Sequence, residues 1–283
     1  MKRRLPGAPL AFLSPPIGWL LFFFLLPMVV MVVFSVWRTI DFKIVPGFTL
    51  DNYAALLKSL YASAFTRTVR IALTVTLISA LLGYPVAYFV ARKVHRFRMV
   101  LLMLVILPLW TSYLVRTFAW LLILGTNGVI NYGLRTVGLV EQPVTWLLYS
   151  DFAVTLALVH IYMPFMILPL YAVLEKLDPR LLEAARDLGA GPVRAFLAVT
   201  LPLSLSGLAT GCLFVFIPSM GAFVTPELLG GTRSIMIGSI IAQQFGVAFE
   251  YPLGSAMALT LMAVILAIAS IVLRYGRPRG LAA

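Results

Sequence analysis

Residues 183–202 read EAARDLGAGPVRAFLAVTLP and lie between two long apolar runs of the chain. The stretch combines small residues, charges of both signs and a pair of glycines, so it cannot enter a lipid bilayer at low cost. We therefore expect it at a membrane surface, where it offers a soluble partner a place to hold a membrane protein.

The rest of the chain is suited to lipid and not to water. Of its 283 residues, 61% are hydrophobic and 11% are charged. A soluble domain of this length could not bury so much apolar surface, whereas a membrane-spanning helix needs about 20 apolar residues. The sequence predicts an all-α integral membrane protein with six transmembrane helices, near 16–37, 68–91, 99–122, 151–173, 203–223 and 252–273.

The basic residues are distributed along the chain as the positive-inside rule predicts. The first apolar run is longer than the roughly 7–15 residues of a signal-peptide core, so we interpret it as a retained span after a cytoplasmic N-terminus, 1–15. The net charge of +12 then reflects membrane topology and not a nucleic-acid surface. The four cytoplasmic segments hold 14 of the 22 Lys and Arg residues, namely Lys2, Arg3, Arg4, Arg92, Lys93, Arg96, Arg98, Lys176, Arg180, Arg186, Arg194, Arg274, Arg277 and Arg279.

The sequence offers no set of residues for catalysis or metal binding. Its one cysteine, Cys212, lies in the fifth predicted span, and its two histidines, His95 and His160, are far apart in the chain. His160 lies in the middle of a span, where a hydrogen bond between helices is the expected role. We therefore expect no catalytic site, metal site or bound cofactor in this chain.

The charged stretch and the residues before it predict two short helices joined by a glycine elbow. Asp178 can cap the first helix, and Pro179 suits its first position. Gly189 and Gly191 end that helix, and Pro192 begins the second. A helix that lies on the lipid surface is the alternative, although such helices favour Lys and Arg over charges of mixed sign.

The spacing of Glu183-Ala184-Ala185, Gly189 and Leu201-Pro202 resembles the EAA loop of bacterial ABC importer permeases, with Val199 where that family usually has isoleucine. In that family the loop docks into a groove of a cytoplasmic ATPase. The resemblance implies an ATPase-coupling surface made of Glu183, Ala184, Ala185, Arg186, Gly189, Ala190, Gly191, Pro192, Leu201 and Pro202.

The resemblance also implies the type I (MetI-like) permease fold, with one transmembrane domain over 16–283 and a coupling loop at 174–202. It implies a second permease subunit, expected to be a different chain, a dimer of ATPase subunits that bind ATP and Mg, and a periplasmic solute-binding protein. The expected location is the bacterial inner membrane, crossed several times, with both termini in the cytoplasm. No phosphate-binding G-x-x-x-x-G-K-[ST] motif occurs in the sequence, so ATP hydrolysis is expected in the partner.

A narrower resemblance is to the permeases of spermidine/putrescine importers, and it implies a small cationic solute. It is carried by the segments 107–117, 125–128, 164–171, 175–179, 223–231 and 235–238. Related permeases for amino acid-like, opine or phosphonate compounds share such segments and remain an alternative. A stand-alone secondary transporter is a further alternative, but it would need intramembrane titratable groups or an internal repeat.

A cationic solute would need carboxylates or aromatic faces along its route. Asp151, Glu227 and Glu250 lie near the external ends of spans and form the candidate cation entrance. Arg116 lies within the third predicted span, where it snorkels, pairs with another span or stands beside the path. The candidate lining of the translocation path is Trp110, Tyr113, Arg116, Trp120 and Phe216.

Overall fold

The computed structural model describes residues 8–94 and 96–275, with the side chains at 8–13, 233 and 275 outside that description. The predicted cytoplasmic N-terminus, 1–15, lies partly outside the described residues, and His95, Arg277 and Arg279 lie outside them. The elements run in the order α1 (Ala8–Ser35), β1 (Arg38–Ile40), β2 (Lys43–Val45), α2 (Asp51–Leu56), α3 (Ser59–Arg92), α4 (Arg98–Ile106), α5 (Tyr113–Leu124), α6 (Val129–Thr136), α7 (Asp151–Glu175), α8 (Pro179–Asp187), α9 (Pro192–Ala195), α10 (Leu201–Met220), α11 (Ile237–Gly246) and α12 (Tyr251–Tyr275).

Helices dominate because a backbone in lipid must satisfy its own hydrogen bonds. The two strands form a single antiparallel hairpin between α1 and α2. Within the described residues, the all-α class with six spans is confirmed by six helical stretches long and apolar enough to cross a bilayer, namely Ser14–Ser35, Ser59–Arg92, Tyr113–Thr136, Asp151–Glu175, Pro192–Met220 and Tyr251–Arg274.

The predicted third span, 99–122, is divided in the structure. α4 passes into a 3-10 turn at Leu107–Trp110, the backbone of Thr111 is extended, and α5 begins at Tyr113. Pro108 has no N–H with which to continue the helical ladder. The Thr111 hydroxyl donates back to the Pro108 carbonyl at 2.7 Å, which stabilises the break.

The predicted second short helix and the fifth predicted span, 203–223, belong to one continuous helix, Pro192–Met220. Its parts α9 and α10 join through a π-helical turn at Phe196–Thr200, in which the Leu201 N–H reaches back to the Phe196 carbonyl. Pro202 follows immediately, and a proline ring crowds the carbonyl four residues before it, which a wider turn relieves. The segment that the sequence places at the membrane surface and a helix long enough to cross a bilayer are therefore one element.

Among the described residues, the chain divides into two compact units, one within 1–61 and 241–262 and the other within 62–240 and 263–283. In the first unit, Asn52 ties α2 to the end of α1. Its side-chain amide donates to the carbonyls of Ser35 and Trp37 at 2.9 and 2.8 Å.

The second unit is built around α7, which is buried over much of its length. α10 approaches α7 closely because Gly207 and Gly211 present no side chain. A Cβ atom at Gly207 would lie 2.9 Å from the Pro169 carbonyl oxygen, and one at Gly211 would lie 2.8 Å from the Met166 sulfur. Small residues four positions apart allow membrane helices to pack through dispersion contacts at short distance.

Polar contacts join α3 to the start of α7 and to the residues just after its end. Arg70 forms an ion pair with Asp151, and Arg92 donates to the Leu177 carbonyl at 2.8 Å. α3 rises about 33 Å between Arg70 and Arg92 at 1.5 Å per residue, which is close to the roughly 30 Å of hydrocarbon in a bilayer. The two helices therefore run parallel, and their two polar contacts lie about one bilayer thickness apart along α3.

Candidate functional site

The predicted elbow is present, and its first helix begins as the sequence indicates. α8 has a proline at its first position, and the preceding residue, Asp178, accepts a hydrogen bond from the Arg180 N–H at 2.9 Å. This interaction satisfies one of the free N–H groups at the start of the helix. The start of α8 is thereby fixed by local chemistry.

The elbow turns at Gly189, which has a positive φ of 82°. The Gly189 N–H donates to the Arg186 carbonyl at 2.8 Å, and the Ala190 N–H donates to the Ala185 carbonyl at 3.0 Å. This pair of bonds is the Schellman arrangement, which needs a left-handed residue and strongly favours glycine. Gly191 has an ordinary φ of −65° and immediately precedes α9.

The outer surface of the elbow is apolar and uncovered in the described chain. Leu188 is 89% exposed, Val193 is 72% exposed and Leu197 is 54% exposed. The charged residues Glu183 and Arg186 are also exposed beside them. The apolar residues of α8 and its end are only half covered, since Leu182 and Ala185 are half-buried whereas Leu181 and Leu188 are exposed.

The inner surface of the elbow is fixed to the body of the second unit. Ala195 is 1% exposed, and the ring of Phe196 meets Tyr84 and Tyr88 of α3 edge-to-face at centroid distances of 5.6 and 5.8 Å. The Tyr84 hydroxyl lies 2.7 Å from the Ser204 hydroxyl on α10. Sequence reasoning missed this link, although the four-residue spacing of the two tyrosines places them on one helix face.

The point where α7 leads into the elbow is held by a second polar group. Arg98, at the start of α4, forms an ion pair with Glu175 at 2.5 Å and stacks over the Tyr171 ring at 4.9 Å. The ion pair is partly shielded, because the Arg98 side chain is 28% exposed. α4 is therefore connected to the end of α7, just before the elbow begins, at one end of the second unit.

A second cluster of polar side chains, called here the mid-span cluster, joins α5 to the middle of α7. Arg116 of α5 donates to the Ile161 carbonyl of α7 at 3.4 Å. Ile161 follows His160, whose carbonyl has no helical donor because Pro164 lacks an N–H. Trp120 donates to His160 at 3.2 Å, which confirms the expected hydrogen bond between helices.

The same cluster includes two polar residues that the sequence did not single out, Thr225 and Tyr162. The Tyr113 hydroxyl lies 2.6 Å from the hydroxyl of Thr225, which is buried. The Tyr162 hydroxyl donates to the Pro218 carbonyl at 3.3 Å, near the end of α10. Thr225 lies more than a hundred residues from Tyr113 in the sequence, so no local pattern could have paired them.

The five candidate path residues are not gathered into one surface. Tyr113, Arg116 and Trp120 lie on α5 and take part in the mid-span cluster. Trp110 lies at the break before α5 and is 84% exposed, whereas Phe216 is 3% exposed inside the second unit.

The three candidate entrance carboxylates have different surroundings. Asp151 begins α7 and pairs with Arg70. Glu227 is exposed on a π-helical turn, Pro226–Gly230. Glu250 is half-buried and belongs to the first unit, whereas the other two belong to the second.

The sequence and the fold match known transport proteins. A family model described as "Binding-protein-dependent transport system inner membrane component" matches residues 83–279. The spermidine/putrescine transport system permease protein PotB of Escherichia coli (strain K12) is 40% identical over 249 residues, covering 88% of this chain and 90% of that protein. PotB of Haemophilus influenzae is 39% identical over 246 residues, covering 86% of this chain and 85% of that protein.

The fold is also similar to that of a solved structure whose sequence is less similar than those of the two relatives. A bacterial ABC transporter involved in the import of the acidic polysaccharide alginate aligns with a TM-score of 0.68 at 21% identity, over 95% of both chains. The six apolar helices, the family model and the two relatives therefore agree, and the chain belongs to the family of binding-protein-dependent transport system inner membrane components.

Proposed function

We propose that this chain is a permease subunit of an ATP-driven importer of polyamines such as spermidine and putrescine. The observation that carries the proposal is the exposed elbow, which is continuous with a membrane-spanning helix. The solute class is supported by the names of the two permeases that this chain resembles over most of its length.

The elbow is the proposed docking site of a cytoplasmic ATPase. Its exposed Leu188, Val193 and Leu197 supply apolar area, and Glu183 and Arg186 supply charges of both signs at the edge. Apolar anchors inside a polar rim are the usual composition of a protein interface. ATP and Mg would bind to the partner ATPase, and this chain would have no catalytic role.

The proposed orientation places the elbow and both termini in the cytoplasm. An even number of spans returns the chain to the side on which it began, and the basic residues concentrate on that side. The Arg70–Asp151 end of α3 and α7 then faces the periplasm, where a solute-binding protein would deliver the polyamine. A second permease subunit, proposed to be a different chain, would complete the path.

The continuous helix Pro192–Met220 would couple the ATPase to the membrane-spanning part of this chain. Closure of the ATPase dimer would move α9, and the π-helical turn would carry that movement into α10. Phe196 would carry it to α3, because its ring contacts Tyr84 and Tyr88. ATP binding would thus favour one of two permease conformations, which is a shift of population and not a new activity of this chain.

The mid-span cluster is the proposed wall of the path. His160 is exposed and Arg116 is half-exposed, although both lie between the two polar ends of the unit. Placing an arginine against lipid at this depth costs about 2.5–3.5 kcal/mol or more. We therefore place this face against water or the second permease, where one positive charge would keep polyamines from binding tightly.

Uptake into proteoliposomes tests the proposal. The complete transporter, with its ATPase, second permease and binding protein, would be supplied with labelled putrescine or spermidine, and with an amino acid, an anion and a sugar as controls. We expect uptake of the polyamines alone, dependent on both ATP and the binding protein. ATP-dependent uptake of another solute without the polyamines would contradict the solute class, and uptake without ATP would contradict the coupling.

A further inference from the structure

A cleft of about 640 Å³ opens beside the first turn of α7, at the end of the unit opposite the elbow. Trp146, Tyr149 and Phe152 line one part of it, and Asp151 lies among them. Thr232 and Ser234 contribute hydroxyl groups from another segment. Its volume falls within the range of about 300–1,000 Å³ that is common for small-molecule sites.

The aromatic residues of this cleft present open faces. The rings of Trp146 and Phe152 meet edge-to-face at 5.3 Å, and the Trp146 side chain remains 61% exposed. Tyr149 is 58% exposed. Tryptophan and tyrosine are common at membrane surfaces, but here they line one cleft with a carboxylate. An organic ammonium group is attracted both to aromatic faces and to a carboxylate.

Asp151 is only partly satisfied within the described residues. Its Oδ2 pairs with Arg70, whereas its Oδ1 is buried and has no hydrogen-bond partner there. The Arg70 side chain is 65% exposed, and an ion pair so open to water holds its partners weakly. Arg70 can therefore return to solvent when another cation offers the carboxylate more hydrogen bonds.

The shape of the cleft depends on a close approach of two backbone segments. Gly231 has a φ of 59°, and a Cβ atom there would lie 3.0 Å from the Cβ of Tyr149, which itself has a φ of 57°. The segment that carries Thr232 and Ser234 is thereby held against the start of α7. The cleft is a formed feature of the second unit.

We propose that this cleft binds an ammonium group of the polyamine through Asp151 and the aromatic rings, and that Arg70 is an exchangeable competitor for the same carboxylate. The incoming ammonium takes the place of the guanidinium, so the net charge at Asp151 is unchanged on binding. The identity of the cation rests on the proposed function, whereas its charge and its aromatic contacts follow from the cleft itself.

The two partners of this ion pair should have opposite effects when they are replaced. Asp151→Asn removes the acceptor of the ammonium and keeps the size of the side chain. Arg70→Gln removes the competitor and leaves the carboxylate free. If the ion pair had a purely structural role, both variants would instead bind spermidine more weakly than the wild type.

The test is equilibrium binding of radiolabelled spermidine to the complete transporter in lipid nanodiscs, without the binding protein. We expect Asp151→Asn to raise the dissociation constant about tenfold, and Arg70→Gln to lower it severalfold, because hydrogen bonds to charged groups are among the stronger polar contacts. Putrescine should compete with the label, whereas butane-1,4-diol, which has the same carbon chain without charge, should not.

Arg67→Gln is the matched control for Arg70→Gln. Arg67 lies one turn earlier on α3 and lines the same basic depression as Arg70, whereas the ion pair with Asp151 is made by Arg70. The control removes the same charge without freeing the carboxylate, so its effect on the dissociation constant should be much smaller. Equal tightening by both arginine variants, or no tightening by Arg70→Gln, would overturn the proposal.

The binding test and the uptake test can fail separately. If the proteoliposomes import polyamines but spermidine binding does not respond to Asp151→Asn, the cleft is not the site and the importer assignment stands. If polyamines are not imported but the binding pattern above is found, the cleft is a cation site in a transporter for another solute.

Discussion

In the contact between α7 and α10, glycines are enclosed by the neighbouring helix, whereas in the elbow they face open space. A Cβ atom at Gly207 would lie 2.9 Å from the Pro169 carbonyl oxygen. A Cβ atom at Gly189 or Gly191 would meet nothing within 4 Å. The same residue type therefore fixes a distance between helices in one region and a direction of the chain in the other.

This difference predicts that one region determines the stability of the subunit and the other its coupling to the ATPase. The α7–α10 contact lies inside the second unit, where a change of volume has to be absorbed by packed backbone. The elbow contributes little to that packing, since its apolar residues Leu188 and Val193 face outward. Variants in the two regions should consequently fail in different ways, and the contrast can be tested.

The largest effect is expected from Gly207→Ala. The added methyl group would press on the Pro169 carbonyl oxygen and on Val173, and overpacking of this kind costs about 1–3 kcal/mol. We expect a lower thermal unfolding temperature for the purified subunit and less of it in the membrane, with transport reduced in proportion to the amount.

Gly133→Ala is the control for this prediction. Gly133 also lies within a helix, α6, but a methyl group added there would meet nothing within 4 Å, so alanine should stabilise the helix by about 0.5–1 kcal/mol. If both variants unfold at the wild-type temperature, then α10 is not held against α7 by the close approach at Gly207.

A smaller and different effect is expected from Gly189→Ala. An L-residue at a φ of 82° is strained by about 1–2 kcal/mol, although there is space for the methyl group. The strain can be relieved by a change in the angle of the elbow, so the unfolding temperature should fall little while ATP-dependent uptake falls several-fold. Gly189→Asn should recover part of the uptake, because asparagine tolerates this backbone conformation.

Gly191→Ala separates backbone strain from the loss of a glycine. Gly191 lies two residues away, is equally open to solvent and has a φ of −65° that any residue can adopt. Uptake by this variant should match the wild type. Equal loss of uptake in the two alanine variants would mean that the ATPase packs directly against both glycines. The angle of the elbow would then not determine docking.

The sequence predicts the elbow better than it predicts the spans around it. Asp178, Pro179 and Gly189 act through neighbours a few residues away, so their pattern alone indicates the cap and the turn. The division of the third span depends on Pro108, which lipid-embedded helices often accommodate without breaking. The continuity of the fifth span with α9 depends on a π-helical turn, for which the sequence has no distinct signal.

The mid-span cluster marks the limit of sequence reasoning at the candidate site. Trp120 and His160 were each noticeable as polar or aromatic residues within apolar runs, and their bond joins two neighbouring spans. Thr225 was not noticeable, because its pairing with Tyr113 depends on how the chain returns after α10. Long-range contacts of this kind follow from packing and not from local pattern.

The smallest effect on stability, and a clear effect on docking, is expected from Leu188→Ser. This side chain is 89% exposed, so its loss should leave the free energy of unfolding within about 0.5 kcal/mol of the wild type. Burying a leucine against a partner contributes about 1.5–3 kcal/mol, so the affinity for the ATPase subunit should fall on the order of tenfold to a hundredfold.

Leu139→Ser is the matched control, because Leu139 is 69% exposed and lies between α6 and α7, away from the elbow. Co-purification with the ATPase subunit and ATP-dependent uptake would be measured for both variants alongside the unfolding temperature. Loss of co-purification in Leu188→Ser alone would place the ATPase contact on the outer surface of the elbow. Loss in neither variant would leave Val193 and Leu197 of the same surface as the remaining apolar anchors, and their joint replacement would then decide whether the elbow docks at all.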